Sequence, residues 1–405
     1  EEPGSRAGFS TSRVGDVNGD GTADFIIGAP GDWGFGQAYV VFGTKTGFPA
    51  SLNLANLNGV KGFKIIDSDL TPPRRTAFEV SDAADINGDG INDLMLSDPN
   101  KYTGSLFHAG RVYIIYGKTT AFPAQFDVSS LDGSNGFTIL GKTKDEVFGY
   151  GIANVGDFNN DSFDDIGIVS HNEGSGNVKK CYILFGRSTN FPSVIDIESI
   201  NSSNSFIVEG DIGKNLAGIG DVNGDGISDV AISGDDQFRY ILYGSASLPA
   251  KLSTTALNGY NGFKIQNSAS PLTTSYYFEV RSAGDLNGDS FKDIGINNFV
   301  LFGKSTTPAI VDLNDLDGTN GFKMNGSEFE YLHSYSSFGD FNKDGFDDYL
   351  LPYSSKIYVI YGKANWNPLL DIFSLDSSQG LVINTPYTSK YSLSYLGDVN
   401  GDAID

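Results

Sequence analysis

The stretch that decides the fold is Asp16-Val17-Asn18-Gly19-Asp20-Gly21-Thr22-Ala23-Asp24, which has oxygen-bearing side chains at positions 1, 3, 5 and 9 of a nine-residue loop. The pattern recurs at intervals of 55 to 72 residues, with first residues Asp85, Asp157, Asp221, Asp285, Asp340 and Asp398. A period of this size indicates one supersecondary unit repeated along the chain. A chain of 405 residues exceeds a single ordinary core, so we interpret 1–405 as one repeat domain.

The loops have the composition of a site for a hard cation. Calcium takes six to eight oxygen ligands and tolerates irregular geometry, and each loop offers Asp and Asn side chains plus a main-chain carbonyl at position 7. A single loop could be a bare Asx turn, but six complete copies in one phase favour metal. An EF-hand would need an acidic residue at position 12, where this sequence has Ile27, Leu96, Ile168, Ile232, Ile296 and Leu351. We expect these six to be buried strand residues.

The sequence therefore predicts about six to seven bound Ca²⁺ ions. The predicted ligands, including the position-7 carbonyl of each complete loop, are Asp16, Asn18, Asp20, Thr22, Asp24, Asp85, Asn87, Asp89, Ile91, Asp93, Asp157, Asn159, Asp161, Phe163, Asp165, Asp221, Asn223, Asp225, Ile227, Asp229, Asp285, Asn287, Asp289, Phe291, Asp293, Asp340, Asn342, Asp344, Phe346, Asp348, Asp398, Asn400 and Asp402.

The loops are not equal. Ser162 and Ser290 replace the Gly at position 6, which is unfavourable if that residue has a positive φ, so we expect these two sites to be weaker. The seventh loop has Ala403 at position 6, and its ninth position would be residue 406. This favours a longer chain of which the sequence is a part.

Between the loops, the order of strand signals is constant. In the second repeat, alternating apolar runs at 78–84, 94–97, 112–117 and 136–139 predict strands A, B, C and D. No segment has a sustained helical period, so the class is all-β. Radially repeated four-stranded antiparallel blades form a β-propeller, which we expect to be seven-bladed in the intact protein. The alternative is six complete blades and a partial seventh.

Composition excludes several classes of protein. The formal charge is −23, from 50 acidic and 27 basic residues, which argues against nucleic acid as a partner. The sequence contains no run of 18 apolar residues, so it predicts no membrane span. Cys181 is the single cysteine, so no internal disulfide can form, and its alternating strand predicts a buried thiol. The chain begins at Glu1 without a Met, as a mature secreted protein or a trimmed chain would.

Two short motifs carry a family resemblance over essentially the whole chain. Phe148-Gly149, and Ile26-Ile27-Gly28-Ala29-Pro30 after the first loop, resemble the FG-GAP repeats of the integrin α-subunit propeller and of bacterial integrin-α-like proteins. The resemblance implies seven blades, calcium on one face and partners on the other. Later repeats depart from the Ala-Pro pair, as at Asp98-Pro99 and His171-Asn172. The resemblance therefore supports the fold and not an inherited ligand specificity.

The antiparallel order also separates the two faces. A–B and C–D connections share one face, whereas B–C and D–A connections share the other. The B–C connections are long in the first three repeats and short near Asn297 in the fifth, so we expect partners over blades 1 to 3. The candidate partner-binding residues are Trp33, Phe35, Arg74, Arg75, Tyr102, Phe107 and His108. The alternative is that these side chains pack the loops onto their own blades.

The sequence favours a calcium-binding adhesion or binding module, extracellular or at the cell surface, with a protein or glycan ligand. Calcium-dependent lectin-like binding of glycans is one alternative. A structural role in a surface layer or filament, with self-association, is another. No enzyme is expected, because His108, His171 and His333 occupy unlike positions in their repeats and no nucleophile motif is recognisable.

Overall fold

A computed structural model describes residues 6–31, 36–69, 78–171, 178–269, 280–325, 336–337, 339–385, 396 and 399–400. These residues form six sheets, each containing one antiparallel A-B-C-D meander. In the described part of the chain the sheets follow one another as six blades of a β-propeller, which confirms the all-β class and the repeat phase. Within the described residues, no helix is long and apolar enough to cross a membrane.

The first three blades contain these strands, in the order A to D. Blade 1 has Ser10–Gly15, Asp24–Ala29, Gln37–Val41 and Gly62–Ile66. Blade 2 has Val80–Ala84, Asp93–Asp98, Arg111–Ile115 and Gly136–Leu140. Blade 3 has Phe148–Gly156, Asp165–Ser170, Lys179–Leu184 and Ser205–Gly210.

The remaining three blades repeat the same order. Blade 4 has Ile212–Gly220, Asp229–Gly234, Arg239–Leu242 and Gly262–Gln266. Blade 5 has Val280–Gly284, Asp293–Ile296, Phe299–Leu301 and Gly321–Met324. Blade 6 has Ser336–Ser337, Tyr349–Tyr353, Lys356–Ile360 and Gly380–Asn384.

Five of the six sheets contain a fifth strand, so the expectation of four-stranded blades was incomplete. This strap strand comes from the C–D connection of the next blade and pairs in parallel with strand D. The strap strands are Gln125–Asp127, Val194–Asp196, Lys251–Ser253, Ile310–Asp312 and Leu369–Leu370. Each leads into a one-turn 3₁₀ helix, and blade 1 has a matching turn; these are Leu54–Asn56, Val128–Ser130, Ile197–Ser199, Thr254–Ala256, Leu313–Asp315 and Ile372–Ser374.

The core lies between neighbouring blades. Strand A is at one edge of each sheet and packs against strand A of the next blade, so the A strands surround the centre. One apolar cluster joins Val14, Ile26 and Val40 of blade 1 to Leu94 and Leu96 of blade 2. Side chains from successive sheets therefore bury one another, which is how repeat folds gain stability without disulfides.

Two sequence predictions about burial are tested by this core. Cys181 is fully buried and unpaired, and burial raises the pKa of its thiol to about 12, as a structural thiol requires. At loop position 12, five of the six apolar residues are fully buried. Ile27 is the exception, because it is half-buried.

Candidate metal centre

The complete nine-residue loops share one hydrogen-bond scheme. In the first loop, the Asp20 N–H donates to Asp16 Oδ1 at 3.0 Å and to Asn18 Oδ1 at 2.9 Å. The Gly21 N–H donates to Asp16 Oδ2 at 2.7 Å, and the Thr22 N–H donates to Asp20 Oδ1 at 2.9 Å. The same bonds recur in the loops that begin at Asp85, Asp157, Asp221, Asp285 and Asp340. Side-chain oxygens of positions 1, 3 and 5 are thus gathered inside each turn.

The position-9 aspartate is the buried anchor of each loop. Asp24 is fully buried; its Oδ2 accepts the Val17 N–H at 3.0 Å, and its Oδ1 accepts the N–H of Gly43, after strand C, at 2.8 Å. Equivalent pairs of donors hold Asp165, Asp229, Asp293 and Asp348. Position 9 therefore ties the loop to the end of strand C in the same blade.

Burial of these carboxyls disfavours their charged form. Desolvation raises the pKa of Asp24 to about 7 and the pKa of Asp165, Asp229 and Asp293 to about 8. The carboxylates at positions 1 and 5 of the same loops make a smaller contribution to these raised pKa values. The pKa values of Asp93 and Asp348 are also raised by burial. A cation beside such a carboxylate would favour its charged form.

The donor set fits a hard cation. Every side-chain atom that could bind the ion is an oxygen. Asp93 Oδ2 is a buried oxygen that lacks a hydrogen-bond partner of normal geometry among the described residues. In the described part of the chain, no three carboxylate, imidazole or thiol groups form a ready-made site for an ion. A calcium ion would therefore also need the Asn oxygens at position 3 and the main-chain oxygens at position 7.

The backbone at position 6 has a positive φ in every complete loop. Gly21, Gly90, Gly226 and Gly345 have φ between 82° and 92°, and Ser162 and Ser290 are both at 74°. A residue with a Cβ is disfavoured in this region. Ser162 and Ser290 thus have the positive φ on which the prediction of weaker metal sites in these two loops depended.

We expect Ser162→Gly and Ser290→Gly each to raise the free energy of unfolding by about 0.5–1 kcal/mol, because Gly removes the Cβ penalty but loses more entropy on folding. Chemical denaturation in excess calcium measures this change. The reverse substitution, Gly21→Ser, is the matched control and should lower the free energy of unfolding by a similar amount. Glycine variants no more stable than the parent would contradict the strain argument.

Successive loops are joined across the blade boundaries. A main-chain N–H at position 8 donates to the position-1 carbonyl of the preceding loop at 2.9 to 3.3 Å in the pairs Asn92 to Asp16, Ser228 to Asp157, Lys292 to Asp221 and Asp347 to Asp285. The residue that follows the Gly after strand C donates to the position-2 carbonyl of the preceding loop in the pairs Lys118 to Val17, Arg187 to Ile86, Ser245 to Phe158, Lys304 to Val222 and Lys363 to Leu286. A change of shape in one loop therefore acts directly on the next blade.

The seventh loop is described only at Val399 and Asn400, so Asp398 and Asp402 lie outside the described residues. The Thr44 N–H of blade 1 donates to the Val399 carbonyl at 2.9 Å. This bond is the same position-2 contact that joins every other pair of neighbours. Relative to blade 1, the seventh loop therefore lies where the loop of a preceding blade would be.

The opposite face contains three of the predicted partner residues. Tyr102, Phe107 and His108 lie together in the B–C connection of blade 2, with ring centroids 4.7 Å apart for Tyr102 and Phe107 and 5.9 Å apart for Tyr102 and His108. Phe107 is 50% exposed. Trp33, Phe35, Arg74 and Arg75 lie outside the described residues. The three placed residues thus pack on one another and still offer an exposed aromatic edge.

Backbone strain accompanies this cluster. His108 has φ 48° and Val147, in the D–A connection beside it, has φ 53°; the Val147 N–H donates to the His108 carbonyl at 2.8 Å. A β-branched residue in this region is an outlier, and such strain tends to occur at functional sites. We call the surface formed by Tyr102, Phe107, His108 and Val147 the crest of blade 2, and this main-chain bond joins its two connections.

A buried ion-pair network supports the same B–C connection, and sequence reasoning missed it. Lys101 is fully buried and pairs with Asp67 at 2.7 Å, while Arg111 pairs with Asp69 at 2.7 Å. Tyr113 Oη donates to Asp67 Oδ2 at 3.1 Å. Because the partners lie more than 30 residues apart, no local pattern signals this network.

An aromatic row at the end of the A strands that lies away from the metal loops was also missed. Phe9 and Phe78 have ring centroids 5.3 Å apart, as do Phe78 and Tyr150, and Lys214 Nζ lies 4.3 Å from the Tyr150 ring centroid. Each residue stands seven positions before the first aspartate of its metal loop. Alignment of the repeats on that aspartate would have revealed the row, which begins at the inner edge of the sheets.

Comparison with known proteins supports the resemblance. The family described as "FG-GAP repeat" matches residues 8–41. Integrin alpha-PS2 of Drosophila melanogaster is 26% identical over 311 residues, which cover 73% of this chain and 21% of that protein. Integrin alpha-V of Gallus gallus is 26% identical over 370 residues, covering 82% of this chain and 32% of that protein. The chain thus spans about a fifth to a third of these two relatives.

A shorter match is to phosphatidylinositol-glycan-specific phospholipase D of Mus musculus, 32% identical over 108 residues, which cover 25% of this chain and 12% of that protein. The integrin matches extend over most of the chain, whereas this one covers a single quarter. Together with the FG-GAP match, the integrin matches confirm the sequence-based resemblance to FG-GAP repeats and integrin α propellers.

Proposed function

We propose that this FG-GAP, integrin α-like propeller is a calcium-binding, extracellular adhesion or binding module whose ligand face is formed by the B–C and D–A connections. The observation that carries the proposal is the six-fold repetition of a buried position-9 carboxylate with a raised pKa beside the oxygens of positions 1, 3 and 5. A calcium ion supplies the positive charge that such a carboxylate lacks. A fixed scaffold then presents the loops of the opposite face.

In each complete loop, the Asp residues of positions 1, 5 and 9, the Asn of position 3 and the carbonyl of position 7 would hold the ion. The chain's own part is to keep these oxygens gathered, through the N–H donors that already bind them. The links between successive loops support a role for the ions in holding the blades together. We propose six to seven ions, with the seventh loop supplying Asp398, Asn400 and Asp402.

The proposal includes a seventh blade between blades 6 and 1. Phe63 and Phe137, the second residues of strand D in blades 1 and 2, are fully buried, whereas Leu381 at this place in blade 6 is 39% exposed. Phe48 of blade 1 is also 39% exposed, although Phe122 in the same place of blade 2 is 5% exposed. Apolar side chains on both sides of one blade boundary, together with the Thr44–Val399 contact, support an additional blade there.

A binding role is proposed in preference to catalysis. The relatives that cover most of this chain are named integrins, whereas the match to the phospholipase covers a quarter of it. The same relatives support an extracellular or cell-surface location. The partner is a protein or a glycan, and the strained crest of blade 2 is where we place its contact.

We expect the double substitution Tyr102→Ala and Phe107→Ala to weaken partner binding by at least about tenfold, because exposed aromatic anchors carry much of the energy of an interface. Panels of immobilised matrix proteins and of glycans measure this binding in excess calcium. Tyr260→Ala is the matched control, since Tyr260 is 93% exposed in a C–D connection on the other face. Panel ligands bound as tightly by the double variant as by the parent would remove the crest of blade 2 from the ligand face.

A further inference from the structure

A cavity of about 410 Å³ opens on the face of the metal loops, beside the loop that begins at Asp85. Its rim combines Asn87 and Asp89 of that loop, Lys118, and the run Ser188, Thr189 and Asn190 that follows strand C of blade 3. The cavity lies on the face opposite the proposed ligand face. We call it the Asn190 pocket.

Asn87 differs from its counterparts in the other complete loops. In those five loops, the side-chain N–H of the position-3 Asn donates to the position-5 carboxylate at 2.8 to 3.1 Å. Among the described residues, no such bond engages Asn87 Nδ2, although Asn87 Oδ1 accepts the Asp89 N–H at 2.9 Å as usual. The loop that lines the pocket therefore retains an unused amide donor.

The opposite side of the rim also has unused polar groups. Ser188, Thr189 and Asn190 are exposed, and no hydrogen bond to another described residue engages their side chains. They offer two hydroxyls and one amide, each able to donate and accept. Asp89 would be engaged by calcium, so Lys118 is the one remaining charge beside the four uncharged amide and hydroxyl side chains of this rim.

The floor of the pocket consists of packed aromatic rings. The Phe122 ring is stacked on Phe63 with centroids 4.3 Å apart, and Lys118 Nζ lies 4.8 Å from the Phe122 centroid. Tyr116 packs edge-on against Phe137 and is 8% exposed. A preformed floor lowers the entropy that a ligand must lose on binding.

We propose that the Asn190 pocket binds a pyranose ring of a neutral carbohydrate. Sugar hydroxyls both donate and accept, which matches the amides and hydroxyls of the rim. The volume is within the range of small-molecule sites, and most of the polar side chains at the rim are uncharged. The site is independent of the partner face, because it uses different loops on the opposite side of the sheets.

The test is a titration of the chain in excess calcium, monitored by saturation-transfer NMR. The ligands are the methyl glycosides of glucose, galactose, mannose, fucose and N-acetylglucosamine. We expect at least one glycoside to bind with a Kd on the order of 1 mM, a typical affinity for a few hydrogen bonds. Ser188→Ala with Thr189→Ala should raise that Kd by roughly fivefold or more, and Asn190→Ala should have an effect of similar size.

The matched control is Ser305→Ala with Thr306→Ala. These two exposed residues occupy the same places after strand C of blade 5, and we expect their replacement to leave the Kd unchanged. Thermal unfolding of each variant in calcium checks that the fold is intact. The proposal is overturned if no glycoside of the panel binds, or if the Ser188 and Thr189 double variant binds as tightly as the parent chain.

Discussion

Removal of calcium by excess chelator is expected to lower the midpoint of thermal unfolding by roughly 20 to 30 °C. When the free calcium concentration is about a thousand times the Kd of a site, binding at that site stabilises the folded state by about 4 kcal/mol. Six such sites therefore contribute roughly 24 kcal/mol. Unfolding entropies of about 2 cal/mol/K per residue convert that sum into a shift of this size. The links between successive loops give a structural reason for one blade to weaken its neighbours.

The measurement is differential scanning calorimetry of the chain with calcium, with chelator, and with chelator followed by calcium in excess. Restored calcium should return the midpoint to its first value. Magnesium is the matched control, since it needs near-ideal octahedral geometry and should restore only a small part of the loss. A midpoint that does not change on chelation would show that the loops are Asx turns and that calcium has no part in the fold.

The strand order and the loop phase could be read from the sequence because both are local. Asp24 and its counterparts recur with fixed spacing, and the predicted strands of blade 2 lie within two residues of the observed ones. The strap strands were missed because three residues, such as Gln125–Asp127, are too short to show an alternating pattern. They also pair with strand D of another blade, as Gln125 does with Lys64, so their partner is distant in sequence.

In the candidate sites too, features that depend on local sequence could be predicted and features that depend on distant contacts could not. The metal loops are contiguous, so their phase and the sharp turn at their position-6 glycines follow from residue type and spacing, whereas the burial of position 9 was seen only in the structure. The crest of blade 2 depends on distant contacts, such as Lys101 with Asp67 and Val147 with His108. Tyr102 and Phe107 could be assigned to the B–C connection from the sequence, but the ion pairs and the strain that shape this connection could not be predicted from composition.

A second large effect is expected from pH, with opposite signs for the metal-free and calcium-loaded protein. In the metal-free protein, burial raises the pKa of Asp24 to about 7 and the pKa of Asp165, Asp229 and Asp293 to about 8, against about 3.9 in an unfolded chain. Between these limits the folded state binds more protons than the unfolded state. Its stability therefore falls as pH rises from about 4 to 8.

We expect the unfolding midpoint of the chelated protein to rise as the pH is lowered from 8 to 5. Each carboxyl that is protonated in the folded state and ionised in the unfolded state contributes about 1.4 kcal/mol per pH unit. For a chain of this length, each such group corresponds to roughly 1 to 2 °C per pH unit. In excess calcium the midpoint should instead fall over the same range, because protons compete with calcium for the same oxygens. Parallel melting curves in calcium and in chelator measure both slopes. Slopes of the same sign would mean that the position-9 carboxyls are not the groups at which protons and calcium compete.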